Sequence, residues 1–110
     1  MKMRMNPFAA AGEGIAALLG VEKYVSECGL EHRLLHLIKT RVSQMNGCAF
    51  CLHMHTKDAR AGGESEVRLY LLNAWRESTM FTARERAALA WAEALTDISN
   101  GHVPDHVFDE

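Results

Sequence analysis

The sequence predicts an all-α protein. Prolines occur only at Pro7 and Pro104, one near each end, so almost nothing but glycine breaks helices between them. Ala, Leu, Glu and Arg, all good helix formers, dominate the composition. No segment shows the strict apolar–polar alternation of a half-buried strand. With 110 residues the chain is expected to form one domain, residues 1–110, with a modest core.

The elements follow in order. A first helix is expected from about Phe8 to Cys28, bent at Gly12, Gly14 or Gly20, with Gly29 as its stop. A second, about Glu31 to Met45, aligns Leu34, Leu35, Ile38, Val42 and Met45 on one stripe. Asn46-Gly47 reads as a short turn. A third helix starts near Cys48 and ends around Ala61, closed by Gly62-Gly63, and Ser65 to about Glu77 reads as helical again. Thr82 to about Ile98 is introduced by the capping box Thr82-x-x-Glu85, and its "AALAWA" segment is apolar nearly all round, which predicts deep burial. Pro104 opens a last short helix.

Composition narrows the function classes. An apolar fraction of 48% against 24% charged residues places the chain among ordinary globular sequences, not disordered ones. A formal net charge of -2 leaves no basic footprint for nucleic acid. No apolar run approaches the roughly 18 residues that a membrane span needs. The basic start of "MKMRMNPFAAAGEGIAALLG" suggests a signal peptide, but Glu13 interrupts the apolar part, so the segment is read as mature protein. The expected compartment is then the cytoplasm, where a close cysteine pair is more often catalytic or metal-binding than a structural bridge.

The stretch "MNGCAFCLHMH", Met45 to His55, holds two of the three cysteines. At 3.6 residues per turn, Cys48, Cys51 and His55 share one helix face with Leu52, Ala59 and Gly62, while His53 falls on the other side. A free cysteine behaves as a small hydrophobe, so this stripe also reads as plain core. Two thiols at the mouth of a helix favour redox chemistry. The helix dipole and its unpaired N–H groups stabilise thiolate, and a neighbouring cysteine can close a disulfide on the oxidised first. An imidazole nearby can move the proton. Zinc would find three ligands in Cys48, Cys51 and His55 but no second Cys-x-x-Cys or His-x-x-His. Cys28, at the end of a different helix, reads as a lone buried or half-exposed thiol. Redox dithiol, zinc site and structural pair all remain open at this level.

"RVSQMNGCAFCLHMHTKDAR", Arg41 to Arg60, resembles the core motif of the alkylhydroperoxidase AhpD-like, carboxymuconolactone decarboxylase-like superfamily. "LYLLNAWRESTMFTARERAALAWAEALT", Leu69 to Thr96, is similar to the segment that follows it in small members, and with "GVEKYV" near the start the likeness covers most of the chain. The resemblance implies an AhpD-like all-α helix bundle assembled as a homo-oligomer, commonly a trimer or hexamer. It implies a thiol peroxidase or disulfide reductase that needs no metal, flavin or other cofactor. Cys51 would attack the hydroperoxide, Cys48 would resolve, and His55 would belong to the proton relay. A lipoyl-type dithiol carrier would supply the electrons. A decarboxylating branch lacks the cysteine pair, so Cys48 and Cys51 set this chain with the redox members.

Two positions depart from the family pattern. Twelve residues before the first cysteine, where a relay glutamate is usual, stands His36. It shares its face with His32, Lys39, Thr40 and Ser43, opposite Leu34, Ile38 and Val42, and reads either as a solvated histidine or as a substitute proton acceptor without the fixed negative charge. Before Cys51 stands Phe50, where the peroxidase branch can carry histidine. Similar proteins also continue beyond the Pro104 helix, so Glu110 reads as the end of a shortened member. Trp75, Arg76 and Glu77 read as a core anchor beside a surface ion pair.

Overall fold

The computed structural model describes residues 2–110, and among them every regular element is a helix. The chain divides into two compact units, the first ending at His32 and the second running from Arg33 to Glu110.

The first unit holds α1 (Pro7–Ala10) and α2 (Gly12–Glu27). Asn6 caps α1 by accepting a hydrogen bond from the Phe8 N–H, and Pro7 occupies the position where its missing donor costs nothing. The expected bend is a full break: Ala11, at φ -145° and ψ 50°, leaves the helical region immediately before Gly12. No residue of either helix is buried. Cys28 is exposed rather than buried or half-exposed, its thiol donating to the Val25 carbonyl at 3.1 Å.

The second unit contains α3 (His32–Asn46), α4 (Ala49–Ala61), α5 (Glu66–Tyr70), a 3-10 turn at Leu72–Ala74, α6 (Ala83–Thr96) and α7 (Asp105–Asp109). Its core is Leu37, Leu72, Trp75, Phe81, Leu89 and Ala90, with Val107 packed against it. Around α3, burial differs from the expected one-sided stripe. Leu34, Leu35 and Leu37 are buried, but so are Thr40 and Ser43 on the His36 side, whereas Ile38 and Val42 are only partly covered. The two hydroxyls tolerate burial because each donates to a carbonyl one turn back, Thr40 to His36 and Ser43 to Lys39, both at 2.7 Å.

The helix expected from Ser65 to Glu77 stops early. Ser65 caps α5 by accepting from the Arg68 N–H, and the chain then tightens into the 3-10 turn. Three residues per turn stack Leu72 and Trp75, which both enter the core; an α-helical turn would set them about 60° apart. The capping box of α6 forms as expected between Thr82 and Glu85. Its "AALAWA" stretch is buried on one face only, through Leu89, Ala90 and Ala92, while Trp91 is exposed and packs on Phe108 of α7 with ring centroids 6.0 Å apart.

Charged side chains tie these helices together. Glu64, 1% exposed, contacts Arg33 and Arg68, and Arg68 also pairs with Glu85. Glu93 accepts from the Trp75 indole and Arg41, both at 2.8 Å, and from Arg76 at 3.0 Å. Arg76 lies over the Trp75 ring at 4.3 Å, so the expected core anchor and surface ion pair are joined in one cluster.

Candidate dithiol site

The geometry of the site begins with the turn that ends α3. Gly47 adopts φ 63°, the left-handed region that glycine reaches without a Cβ penalty. Its N–H donates to the Gln44 carbonyl and the Cys48 N–H to the Ser43 carbonyl, each at 3.2 Å, which is a Schellman arrangement. The residue that completes this stop, Cys48, is also the N-cap of α4, in extended backbone at φ -86° and ψ 101°. One cysteine thus closes one helix and opens the next.

Cys51 is the third residue of α4, and its backbone N–H donates to Cys48 Sγ at 3.2 Å. The two cysteines are joined as a disulfide with their Cα atoms 5.3 Å apart, and both are partly buried. A sulfur at this cap faces the unpaired donors of the first turn, the environment that stabilises thiolate when the bond is reduced. Among the described residues no group of three or more His, Cys, Asp or Glu is arranged to hold a metal ion.

His55 lies one turn beyond Cys51 and is partly buried, while His53 is exposed, as the helix spacing predicts. Burial pushes the His55 imidazole below its ordinary range; Lys39 and His36 push the same way, and Asp58 opposes them. His55 therefore favours the neutral form, which can accept a proton. Phe50, between the cysteines, is 65% exposed.

His36 departs from the solvated reading. It is partly buried, and its Nδ1 is enclosed without a hydrogen-bond partner. A methyl group placed on Gly62 would lie 3.8 Å from His36 Cδ2, so the imidazole rests beside the α4 end of the stripe that carries Cys48, Cys51 and His55. Lys39 and Asp58 are the neighbours that sequence reasoning passed over. Lys39 had already fallen on the His36 face, but nothing in a single helix says which element that face meets.

Comparisons with known proteins bear on the family of the chain. Residues 9–94 match the sequence model of the Carboxymuconolactone decarboxylase family. The uncharacterised protein YdfG of Bacillus subtilis is 44% identical over 108 residues, covering 98% of this chain and 74% of YdfG. The uncharacterised YnjA of Escherichia coli is 39% identical over 60 residues, covering 54% of this chain and 33% of YnjA. In the crystal structure of ATU0492 from Agrobacterium tumefaciens, a protein of unknown function with a proposed AhpD antioxidant defence role, the fold superposes with a TM-score of 0.91 at 46% identity. That match covers 98% of this chain and 74% of ATU0492. With its all-helical architecture and four-fifths of its length inside one family match, the chain belongs to the carboxymuconolactone decarboxylase family, in its AhpD-like form.

Proposed function

We propose that the protein is a thiol-dependent peroxidase that reduces hydroperoxides through a Cys48/Cys51 dithiol–disulfide cycle. The observation that carries this reading is the pairing of the two sulfurs at the head of α4, on the helix face that also holds His55. In the reduced protein, neutral His55 takes the Cys51 proton. The thiolate attacks the terminal oxygen of the hydroperoxide, forming the S–O bond as the O–O bond breaks. Sulfur is oxidised to sulfenic acid, and the departing alkoxide leaves as an alcohol with the proton that His55 returns. Cys48 then attacks Cys51 Sγ. The S–S bond forms, the S–O bond breaks, and hydroxide leaves as water with the Cys48 proton.

An external dithiol, of the lipoyl-carrier type, reduces the disulfide by exchange and is itself oxidised to a disulfide. His36 serves as a second proton acceptor beside His55, supported by its enclosed, unpartnered Nδ1. The chain works as a homo-oligomer, a trimer or hexamer, in the cytoplasm. No helix among the described residues is long and apolar enough to cross a membrane. The cysteine pair favours this redox reading over the lactone decarboxylation for which the family is named.

A second reading is thiol–disulfide exchange without peroxide reduction. The exposed Phe50 ring favours it, because it offers an apolar landing for a partner's dithiol next to Cys51. A non-catalytic oligomeric role is the third. The deciding experiment adds hydroperoxide to the reduced, metal-free protein and counts free thiols by mass spectrometry beside Cys51→Ser. Rapid loss of both Cys48 and Cys51 thiols in the wild type, absent in the variant, is expected. Oxidation no faster than that of a model thiol would overturn the peroxidase reading and leave exchange.

A further inference from the structure

The helices α3 and α4 form an antiparallel hairpin closed at both ends. The Gly47 turn joins them at one end, and at the other Arg33, near the start of α3, contacts Glu64 just past α4. This pairing lets heights be read from the sequence. Lys39 lies seven residues before Asn46 and His55 seven residues after Cys48, so both stand about 10 Å from the turn at 1.5 Å per residue. His36 lies one turn farther out, between the levels of His55 and Gly62, with its Cδ2 edge beside Gly62 and its Nδ1 on the opposite edge. Lys39 and His55 are both partly buried, so charges at these positions are screened less than at the surface. The titratable groups that act on His55 are Lys39 and His36 from α3 and Asp58 from its own helix.

We propose that Lys39 is a positioning residue of the dithiol site, its ammonium acting on the His55 imidazole from across the α3–α4 hairpin so that His55 stays ready to accept a thiol proton. The proposal rests on the assignment of His55 as the proton acceptor, and it extends that assignment to a residue outside the Cys-x-x-Cys helix. A fixed positive charge near the imidazole disfavours its protonated form. Asp58 pulls in the opposite sense, so His55 sits between two charges whose effects on it have opposite signs.

Those opposite signs supply the test. The His55 ring is titrated by NMR in the reduced protein and in the disulfide form, for wild type, Lys39→Met, Lys39→Arg and Asp58→Asn. Lys39→Met keeps the aliphatic stem and is expected to move the His55 midpoint to higher pH. Lys39→Arg, which keeps the charge, is expected to restore it, and Asp58→Asn is expected to move it to lower pH. A structural disturbance has no reason to follow this order of signs. In parallel, the acid limb of Cys51 alkylation by iodoacetamide should move to higher pH in Lys39→Met, slowing the reaction about threefold or more near pH 6. An unmoved His55 midpoint in Lys39→Met, a shift of the same sign in Asp58→Asn, or an unmoved alkylation limb would each overturn the proposal. None of these readouts uses peroxide. Failure of peroxide to oxidise the wild-type thiols would therefore remove the peroxidase reading alone.

Discussion

Replacing Glu93 by alanine removes the acceptor at the centre of the second unit, and the cost can be worked from its partners. Glu93 Oε1 accepts from Trp75 Nε1 and from Arg41 Nε, each at 2.8 Å, and Oε2 accepts from Arg76 at 3.0 Å. Trp75 is 3% exposed, so its indole N–H has no water to turn to, and an orphaned buried donor costs about 1–3 kcal/mol. The Arg41 side chain, 17% exposed, keeps Gln44 at 3.1 Å but loses its counter-charge. That loss falls between the roughly 1 kcal/mol of an exposed pair and the roughly 3 kcal/mol of a buried one. Arg76 is largely exposed and adds under about 1 kcal/mol. Glu93→Ala should therefore cost about 2–7 kcal/mol, against a total stability typically of about 5–15 kcal/mol. Glu93→Gln keeps the acceptor for the indole and loses only the charge, so it should cost about 1–2 kcal/mol. Urea unfolding followed by far-UV circular dichroism, at one fixed protein concentration, measures both. An alanine variant within about 1 kcal/mol of wild type, or a glutamine variant as unstable as the alanine one, would refute the reasoning.

Three further outcomes are expected. His55→Asn should slow peroxide oxidation of the reduced thiols about 100-fold while leaving the urea midpoint near that of wild type, and equal oxidation rates would remove His55 from the relay. Leu37→Ala, at a fully buried position, should cost about 2–5 kcal/mol in the same unfolding assay. Stability should fall on acidification in two stages. Desolvation works to raise Glu85 and Glu93, but hydrogen bonds from Arg68 and Thr82, and from Trp75, Arg41 and Arg76, outweigh it and hold both below 4.5. His55 is held below 6.5. In each case the unfolded chain binds the proton first, so the stability is present above the unfolded value and lost as pH falls through the folded one. A urea midpoint that rises as pH drops through this range would contradict the assignment, and Glu93→Gln should flatten its lower part.

Much of the fold was legible because its signals are local. The Thr82-x-x-Glu85 box, the Asn46-Gly47 turn and the glycine pair after α4 each act within a few residues of themselves, and each forms where the sequence places it. The misses have a common physical origin. Leu72 and Trp75 fit an α-helix as readily as a 3-10 turn until the core they enter is known. "AALAWA" is apolar enough to be buried all round, yet only one face of α6 finds a partner within this unit, and Trp91 stays outside. Glu64 and Glu93 look like surface carboxylates in sequence. Their partners Arg33, Arg41 and Trp75 lie 18 to 52 residues away, and no periodicity marks such pairs.

The same distinction explains which half of the site could be read. Cys48, Cys51 and His55 belong to one helix and one cap, so spacing alone brings them to one face. His36 and Lys39 belong to another helix, and their polarity argued that this face is wet. The structure buries Thr40 and Ser43 beside them, each hydroxyl returned to a carbonyl one turn back. A helix face that hides its hydroxyls in this way admits half-buried ionisable groups next to them, and one of these, His36, lies beside Gly62 at the end of α4. In the proposed cycle the Cys-x-x-Cys helix supplies the reacting sulfurs and the imidazole, while the polar face of α3 supplies the charge proposed to govern the imidazole's proton. A family motif confined to α4 would register the first contribution and pass over the second. Relatives that keep the cysteines but change the residues at the levels of His36 and Lys39 should accordingly differ in the pH at which their thiols react, more than in whether the disulfide forms.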